Sequence, residues 1–305
     1  MARTRFPADR GLGVRMVLTM FLLGLLYVVF IGVLTALGTS FLVVLLIAGG
    51  LLFAQYAFSD RIALFSMNAR EVSADDAPEL HGTVDRLCAL ADMAKPRVAI
   101  ADTDLPNAFA TGRDPDHAVV AVTTGLLRRL EPPQLEAVLA HELSHVAHRD
   151  VMVMTIASFL GIAAGLLTRF AFYSGLFGGF GGRRRHDQGG PPVVLVVIVV
   201  SVLVYAVSFL LTRALSRYRE LSADRAAAVL TGRPSTLAAA LVKISGEMSR
   251  IPTRDLRSAE PLNAFFFAPA LAPGFSISSL FSTHPPLERR LEQLAAIEAD
   301  LGRPS

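Results

Sequence analysis

The segment from His141 to His145 contains the clearest chemistry in the sequence, reading His-Glu-Leu-Ser-His. Residues i and i+4 of a helix share one face, so the two imidazoles can bind one Zn²⁺ at about 2.0–2.1 Å. Glu142 would project beside that ion, where a carboxylate can take a proton from a metal-activated water. The segment therefore predicts the centre of a metal-dependent hydrolase.

A third metal ligand is required, because a catalytic zinc takes three protein ligands and leaves one position open. His148 lies a further turn along the same face, too far for one small ion to reach all three histidines. Glu220 and Asp224 are i and i+4 on one predicted helix, so one can bind the metal while the other orients a ligand imidazole. We predict that Glu220 is the third metal ligand and that Asp224 holds a ligand histidine in position. The alternative is that both carboxylates lie on a solvated acidic face of the helix.

Local signals predict the elements around these residues. Pro132-Pro133 favours a helix start ahead of the histidine segment, and Gly232 with Pro234 favours the end of the helix that carries Glu220. Alternation of apolar residues predicts a small sheet before the histidine segment. The expected strands are 97–101 and 118–122, with 107–110 between them, and the expected later helices are 213–230, 235–249 and 285–301.

The composition predicts a membrane protein. Of the 305 residues, 52% are hydrophobic and 18% charged, against about a quarter charged in soluble domains. No charged residue or histidine occurs between Met16 and Ser59, which predicts helices over 16–37 and 40–58, enough for two crossings of a core about 30 Å thick. Runs 151–168 and 191–212 predict a second pair, the former barely long enough to span, so that a re-entrant hairpin is the alternative.

These runs divide the chain into four predicted parts. We expect a transmembrane hairpin over 1–58, a catalytic half over 59–150, a second membrane hairpin over 151–212 and a helical catalytic half over 213–305. The two polar halves should pack together, because neither is long enough for a large core. A net charge of +3 is too small to indicate nucleic acid, the single cysteine excludes an intrachain disulfide, and no residue pattern indicates an oligomeric state.

Arginine placement predicts the orientation in the membrane. Four arginines precede the first apolar run, none occurs in the turn at 38–40, and more follow the hairpin. Positive residues favour the cytoplasmic side, so the N-terminus and the polar halves are expected in the cytoplasm. The glycine- and arginine-rich loop 178–190 would then lie outside, against the same rule, and a shallow second hairpin would remove that conflict.

Four ordered motifs carry a family resemblance that covers nearly the whole chain. They are His141–His145, Glu220–Asp224, Asn107–Gly112 and Ser282–Pro286, the last followed by Arg290. With these motifs the sequence resembles the HtpX-type membrane zinc peptidases, relatives of the prenyl-protein (CAAX) peptidases. The main departure from the pattern is the glycine- and arginine-rich insert.

The resemblance implies an α+β membrane protein with a mostly helical, gluzincin-like zinc peptidase domain, a small sheet and about four membrane helices. It implies one zinc per chain and a stress-induced quality-control endopeptidase in the bacterial inner membrane, which cleaves unfolded or membrane-protein substrates on the cytoplasmic side. It further implies that an edge strand formed by Asn107, Ala108, Phe109 and Ala110 pairs with substrate. His284 would stabilise the oxyanion and Arg290 would be structural, whereas an ordinary core strand and a packing histidine are the alternatives.

Three other functions compete with this prediction. A CAAX-type processing peptidase shares the zinc site. A site-two-type intramembrane protease would need the motif inside an apolar span, but the segment 141–150 is polar and lies at a membrane border. A non-catalytic adaptor or holdase with a structural zinc predicts a lost base or ligand, whereas Glu142 and Glu220 are both present.

Overall fold

The computed structural model describes residues 10–36, 41–150, 153–154, 193–250 and 284–302. They form a mostly helical protein with one small sheet. Its helices are α1 (Arg10–Ala36), α2 (Phe41–Ala57), α3 (Ser59–Ser66), α4 (Pro78–Ala91), α5 (Thr124–Arg129), α6 (Pro132–Ala147), α7 (Val193–Thr231), α8 (Pro234–Arg250) and α9 (Leu287–Leu301), and its strands are β1 (Ala69–Glu71), β2 (Arg97–Ala101), β3 (Ala108–Thr111) and β4 (Val119–Thr123).

The chain separates into two compact units. Unit 1 is built mainly from described residues within Phe58–Met152 and Leu215–Ser305, and unit 2 from those within Val14–Ala57 and Val153–Ala214. Unit 1 therefore combines parts of both polar segments, and it holds the sheet, the histidine segment and Glu220.

The sheet of unit 1 has the strand order β1-β2-β4-β3. Strands β2 and β4 are parallel, whereas β1 and β3 pair antiparallel with β2 and β4. Every residue of β4 is buried, because alternate side chains point to opposite faces and both faces are covered. Val120 and Val122 join the large core that includes α4, α6 and α8, while Val119 and Ala121 pack in a smaller cluster with Ala63 of α3.

Helix α6 begins where the proline signal predicts. Pro132 is its first residue, and Glu131 and Gln134 form a capping box that satisfies backbone N–H groups of the first turn. All residues from Ala137 to Val146 are buried, and the helix packs against α4, α8 and β3. The histidine segment is therefore held inside unit 1.

Helix α7 is continuous over 39 residues, whereas the sequence patterns predicted an apolar run to 212 and a separate helix from 213. No glycine or proline occurs between Val193 and Thr231, so nothing interrupts the hydrogen-bond ladder at that border. The helix ends before Gly232, which has a φ of 64°, and Pro234 follows. One helix thus contains both the apolar run and the two acidic residues Glu220 and Asp224.

Two described helices are long and apolar enough to cross a membrane, Arg10–Ala36 and Leu195–Thr231. Within unit 2, Leu23, Phe30 and Leu34 of α1 pack with Val204 of α7. Helix α2, with 17 residues, corresponds to the second predicted helix. The predicted third run and loop 178–190 lie outside the described residues, except for residues 153–154.

Candidate active site

The two histidines and Glu220 converge in unit 1. His141 Nε2 lies 3.2 Å from His145 Nε2, because the residues are one turn apart on α6. Glu220 of α7 places its Oε2 3.6 Å from His141 Nε2 and its Oε1 3.5 Å from His145 Nε2. All three side chains are buried, and one ligand atom from each lies within 4.8 Å of the others.

This donor set fits a catalytic metal ion. The Nδ1 atom of His141 lies 2.9 Å from Asp224 Oδ1, and the Nδ1 atom of His145 lies 2.7 Å from Asp150 Oδ2. A proton held on each Nδ1 leaves the Nε2 lone pairs directed toward Glu220. Two imidazoles and one carboxylate are the ligands of the His₂Glu class of catalytic zinc sites.

The electrostatics of the site favour a bound cation. Burial opposes the charged form of His141, but the hydrogen bond from its ring to Asp224 and the negative charges of Asp224 and Glu220 outweigh burial and raise the pKa of His141 to about 9. Burial lowers the pKa of His145 despite its hydrogen bond to Asp150. Without a metal, His141 therefore holds a proton between two carboxylates, in a place where a divalent ion can supply positive charge instead.

Glu142 lies in the same turn of α6, and only 4% of it is exposed. Burial is the main reason that its pKa is raised to about 7, although a backbone hydrogen bond from Ala110 opposes the rise. A carboxylate with that pKa can accept and return a proton near neutral pH.

The predicted substrate segment forms the edge strand β3. Asn107 directly precedes the strand and lies beside Thr123, the last residue of β4. Its C=O accepts from the Thr123 N–H, and its N–H donates to the Thr123 hydroxyl. Because hydrogen-bonded pairs alternate along an antiparallel ladder, Phe109 also faces β4. Ala108 and Ala110 then direct their backbone groups away from the sheet, consistent with the Ala110 bond to Glu142.

Helix α9 and the residues just before it contact Asp224 and Glu220. Arg290, 2% exposed, donates from Nε to Asp224 Oδ2 and from Nη2 to Asp224 Oδ1, both at 2.7 Å. His284, just before this helix, places Nδ1 3.0 Å from Glu220 Oε2. The structure thus brings Glu142, Asp224 and His284 to the two histidines and Glu220, and it joins β3 to them through Ala110.

Two charged residues at the site were not predicted from the sequence. Asp150 accepts from His145, as described above, and Arg219 Nε lies 3.1 Å from Asp150 Oδ2. Each is close in sequence to a predicted ligand, Asp150 five residues after His145 and Arg219 directly before Glu220. That proximity was the available signal, but it does not say which charged neighbour folds back onto the site.

The site is typical of metallopeptidases. It has two histidines one turn apart, a buried carboxylate between them in sequence, and a glutamate from a second helix. Residues 74–298 match the model of Peptidase family M48. The chain therefore belongs to peptidase family M48, and it is a metallopeptidase hydrolase, as predicted.

Curated relatives narrow the family to its HtpX branch. The chain is 61% identical over 300 residues to Protease HtpX homolog 1 of Streptomyces coelicolor, covering 98% of this chain and 97% of the relative. It is 55% identical to Protease HtpX homolog of Moorella thermoacetica, covering 98% of each. The predicted resemblance to HtpX-type peptidases is confirmed, and with the two apolar helices it indicates a membrane protein.

The fold is also similar to that of a solved relative. The crystal structure of S. mikatae Ste24p matches with a TM-score of 0.51 at 17% identity, covering 94% of this chain and 67% of that one. At this identity the match supports the fold alone.

Proposed function

We propose that this protein is a membrane-anchored zinc endopeptidase of the gluzincin-like type, which cleaves misfolded or damaged membrane proteins at the cytoplasmic face in protein quality control. The observation that carries the catalytic part is the buried Glu142 beside the convergent His141, His145 and Glu220. The relatives named Protease HtpX homolog support a peptidase that acts on protein substrates.

His141, His145 and Glu220 would hold the metal. When bound, zinc would polarise the scissile carbonyl and make the attacking water more acidic. Zinc is favoured over other divalent ions because two imidazoles and one carboxylate are a common zinc donor set.

The chain's own residues then move the protons. The Glu142 carboxylate accepts a proton from the attacking water and later delivers it to the leaving amine nitrogen. Asp224 holds the His141 ring through Nδ1, and Arg290 holds Asp224. His284 lies against Glu220, and we assign it to donate a hydrogen bond to the developing oxyanion.

Substrate would bind by adding a strand to the edge of β3. The outward N–H and C=O of Ala108 and the outward C=O of Ala110 can pair with an extended peptide. The Ala110 N–H bonds to Glu142, so a peptide on this edge would lie next to the general base. Unfolded chains provide such extended segments, whereas folded domains do not.

The membrane arrangement of this proposal follows the arginine pattern. The arginines before the first apolar run, at 3, 5, 10 and 15, favour a cytoplasmic N-terminus. Four membrane segments, over 16–37, 40–58, 151–168 and 191–212, would return the chain to the cytoplasm before Glu220. Both catalytic halves then lie on one side, in the inner membrane of a bacterial cell.

The first test compares Glu142→Gln with Glu136→Gln, a matched change on the same helix at a residue that pairs with Arg86 near the surface. Each variant is purified in detergent, its bound metal is measured, and cleavage of casein is followed with and without a chelator. We expect Glu142→Gln to keep one zinc per chain and to lose about 10²–10⁴-fold in rate, the usual contribution of a general base. Glu136→Gln should cleave like the parent.

The outcomes separate the competing functions. Chelator-sensitive cleavage that persists in Glu142→Gln would contradict the assignment of the base. Zinc bound without cleavage of casein or of a panel of unfolded membrane proteins would favour the adaptor. Absence of metal from the parent would contradict the ligand set.

A further inference from the structure

Asp150 lies where the chain turns back onto the end of α6. His148 caps the helix, and Arg149 follows with a φ of 56°, a left-handed conformation that is uncommon for residues other than glycine. The Arg149 N–H bonds to the Val146 carbonyl at 3.1 Å. This turn brings Asp150, which is fully buried, back to the last turn of the helix.

The Asp150 carboxylate binds the ring atom of His145 that faces away from Glu220. Its Oδ2 lies 2.7 Å from His145 Nδ1, while Nε2 of the same ring faces Glu220 Oε1 at 3.5 Å. A neutral imidazole has one donor and one acceptor nitrogen. A carboxylate accepting at Nδ1 therefore fixes the proton there, and it also fixes the rotation of the ring.

Arg219 balances the charge of this carboxylate. A fully buried carboxylate needs a partner, and Arg219 Nε lies 3.1 Å from Asp150 Oδ2 with 8% of the residue exposed. Arg219 directly precedes Glu220 on α7. The ring of His145 is thus connected, through Asp150 and Arg219, to the helix that provides the third ligand.

The same arrangement occurs behind the other histidine. His141 Nδ1 faces Asp224, and Asp224 is held by Arg290 of α9. Each predicted ligand histidine therefore contacts an aspartate through Nδ1, and that aspartate contacts an arginine from a different helix. Such supporting carboxylates typically contribute 10–100-fold to metal affinity.

We propose that Asp150, held by Arg219, is a positioning residue that keeps His145 oriented for metal binding. The inference rests on the proposed metal site, and it adds Asp150 and Arg219 to the residues on which that site depends. Asp150 acts through His145 and does not itself contact the metal.

The test measures metal binding directly. Parent, Asp150→Ala and Asp150→Asn are purified in detergent, and zinc affinity is measured by competition with a chromophoric chelator. The visible spectrum of the Co²⁺-loaded protein reports ligand geometry. We expect Asp150→Ala to bind zinc about 10–100-fold more weakly and to change the cobalt spectrum. Asp150→Asn keeps an acceptor for the Nδ1 proton but loses the charge, so its affinity should lie between the two.

The matched control is Asp60→Asn, which removes another buried aspartate paired with an arginine, since Arg97 Nη2 lies 2.6 Å from Asp60 Oδ2. This change should leave zinc affinity and the cobalt spectrum as in the parent. A parental affinity in a folded Asp150→Ala would overturn the proposal, and so would an equal loss in Asp60→Asn. If Asp150→Ala fails to fold, parental affinity in Asp150→Asn overturns it.

These outcomes are distinct from failure of the proposed function. A parent that binds zinc but cleaves nothing would contradict the peptidase proposal, while a weakened Asp150→Ala would still support the positioning role. A parent that binds neither zinc nor cobalt would overturn the metal site and this inference together.

Discussion

Replacing Arg290 with methionine should destabilise unit 1 strongly. The change removes two charge-assisted hydrogen bonds of 2.7 Å to Asp224. The fully buried carboxylate then keeps its contact with His141 Nδ1, which lies 2.9 Å away. Breaking a buried ion pair by removing one partner costs about 3–5 kcal/mol. For a domain of about 150–250 residues this corresponds to a melting temperature lower by about 6–20 °C.

Cys88 provides the assay for this prediction. It is the single cysteine of the chain, it lies in the core of unit 1, and burial raises the pKa of its thiol to about 11. A maleimide dye that fluoresces on reacting with thiols should therefore remain dark until unit 1 unfolds. The melting curve is recorded in detergent with a chelator present, so that bound metal does not add stability.

The matched control is Arg289→Met, the same substitution at the neighbouring exposed residue of α9. Exposed changes of this kind usually fall within about 0.5 kcal/mol, so this variant should melt like the parent. Equal melting temperatures for Arg290→Met and Arg289→Met would refute the reasoning that the buried pair stabilises the unit. The double variant with Asp224→Asn should recover part of the loss, because no unpaired aspartate remains.

Two further predictions concern substrate and orientation. If substrate pairs with the edge of β3, backbone N-methylation of a cleaved peptide should reduce kcat/KM about 10-fold or more at alternate residues and little at those between; a loss without this period of two would contradict strand addition. If the active unit is cytoplasmic, a C-terminal tag should resist added protease in intact spheroplasts and be digested in inverted membrane vesicles, and the reverse pattern would place the site outside.

Local patterns in the sequence were sufficient to predict most elements of unit 1. Strand 97–101 matches β2, and a helix start at Pro132 matches α6, because proline placement and apolar alternation act within a few residues. One helix continues across the predicted border at 212, since a change from apolar to charged residues alters the environment of a helix without breaking its hydrogen bonds. Only glycine, proline or a capping residue does that, and α7 has neither glycine nor proline before Gly232.

By itself, the sequence predicted the chemistry of the site, because spacing alone places His141 and His145 on one helical face and Glu142 beside them. Pairing across the chain was different, since Glu220 and Asp224 were selected by residue type and by the need for a third ligand. Only the tertiary structure decided that Asp150 contacts His145 and Arg219, and that Arg290 donates hydrogen bonds to Asp224. Those contacts join residues from separate elements. Because burial removes water from each charge, each charge needs a partner within the protein.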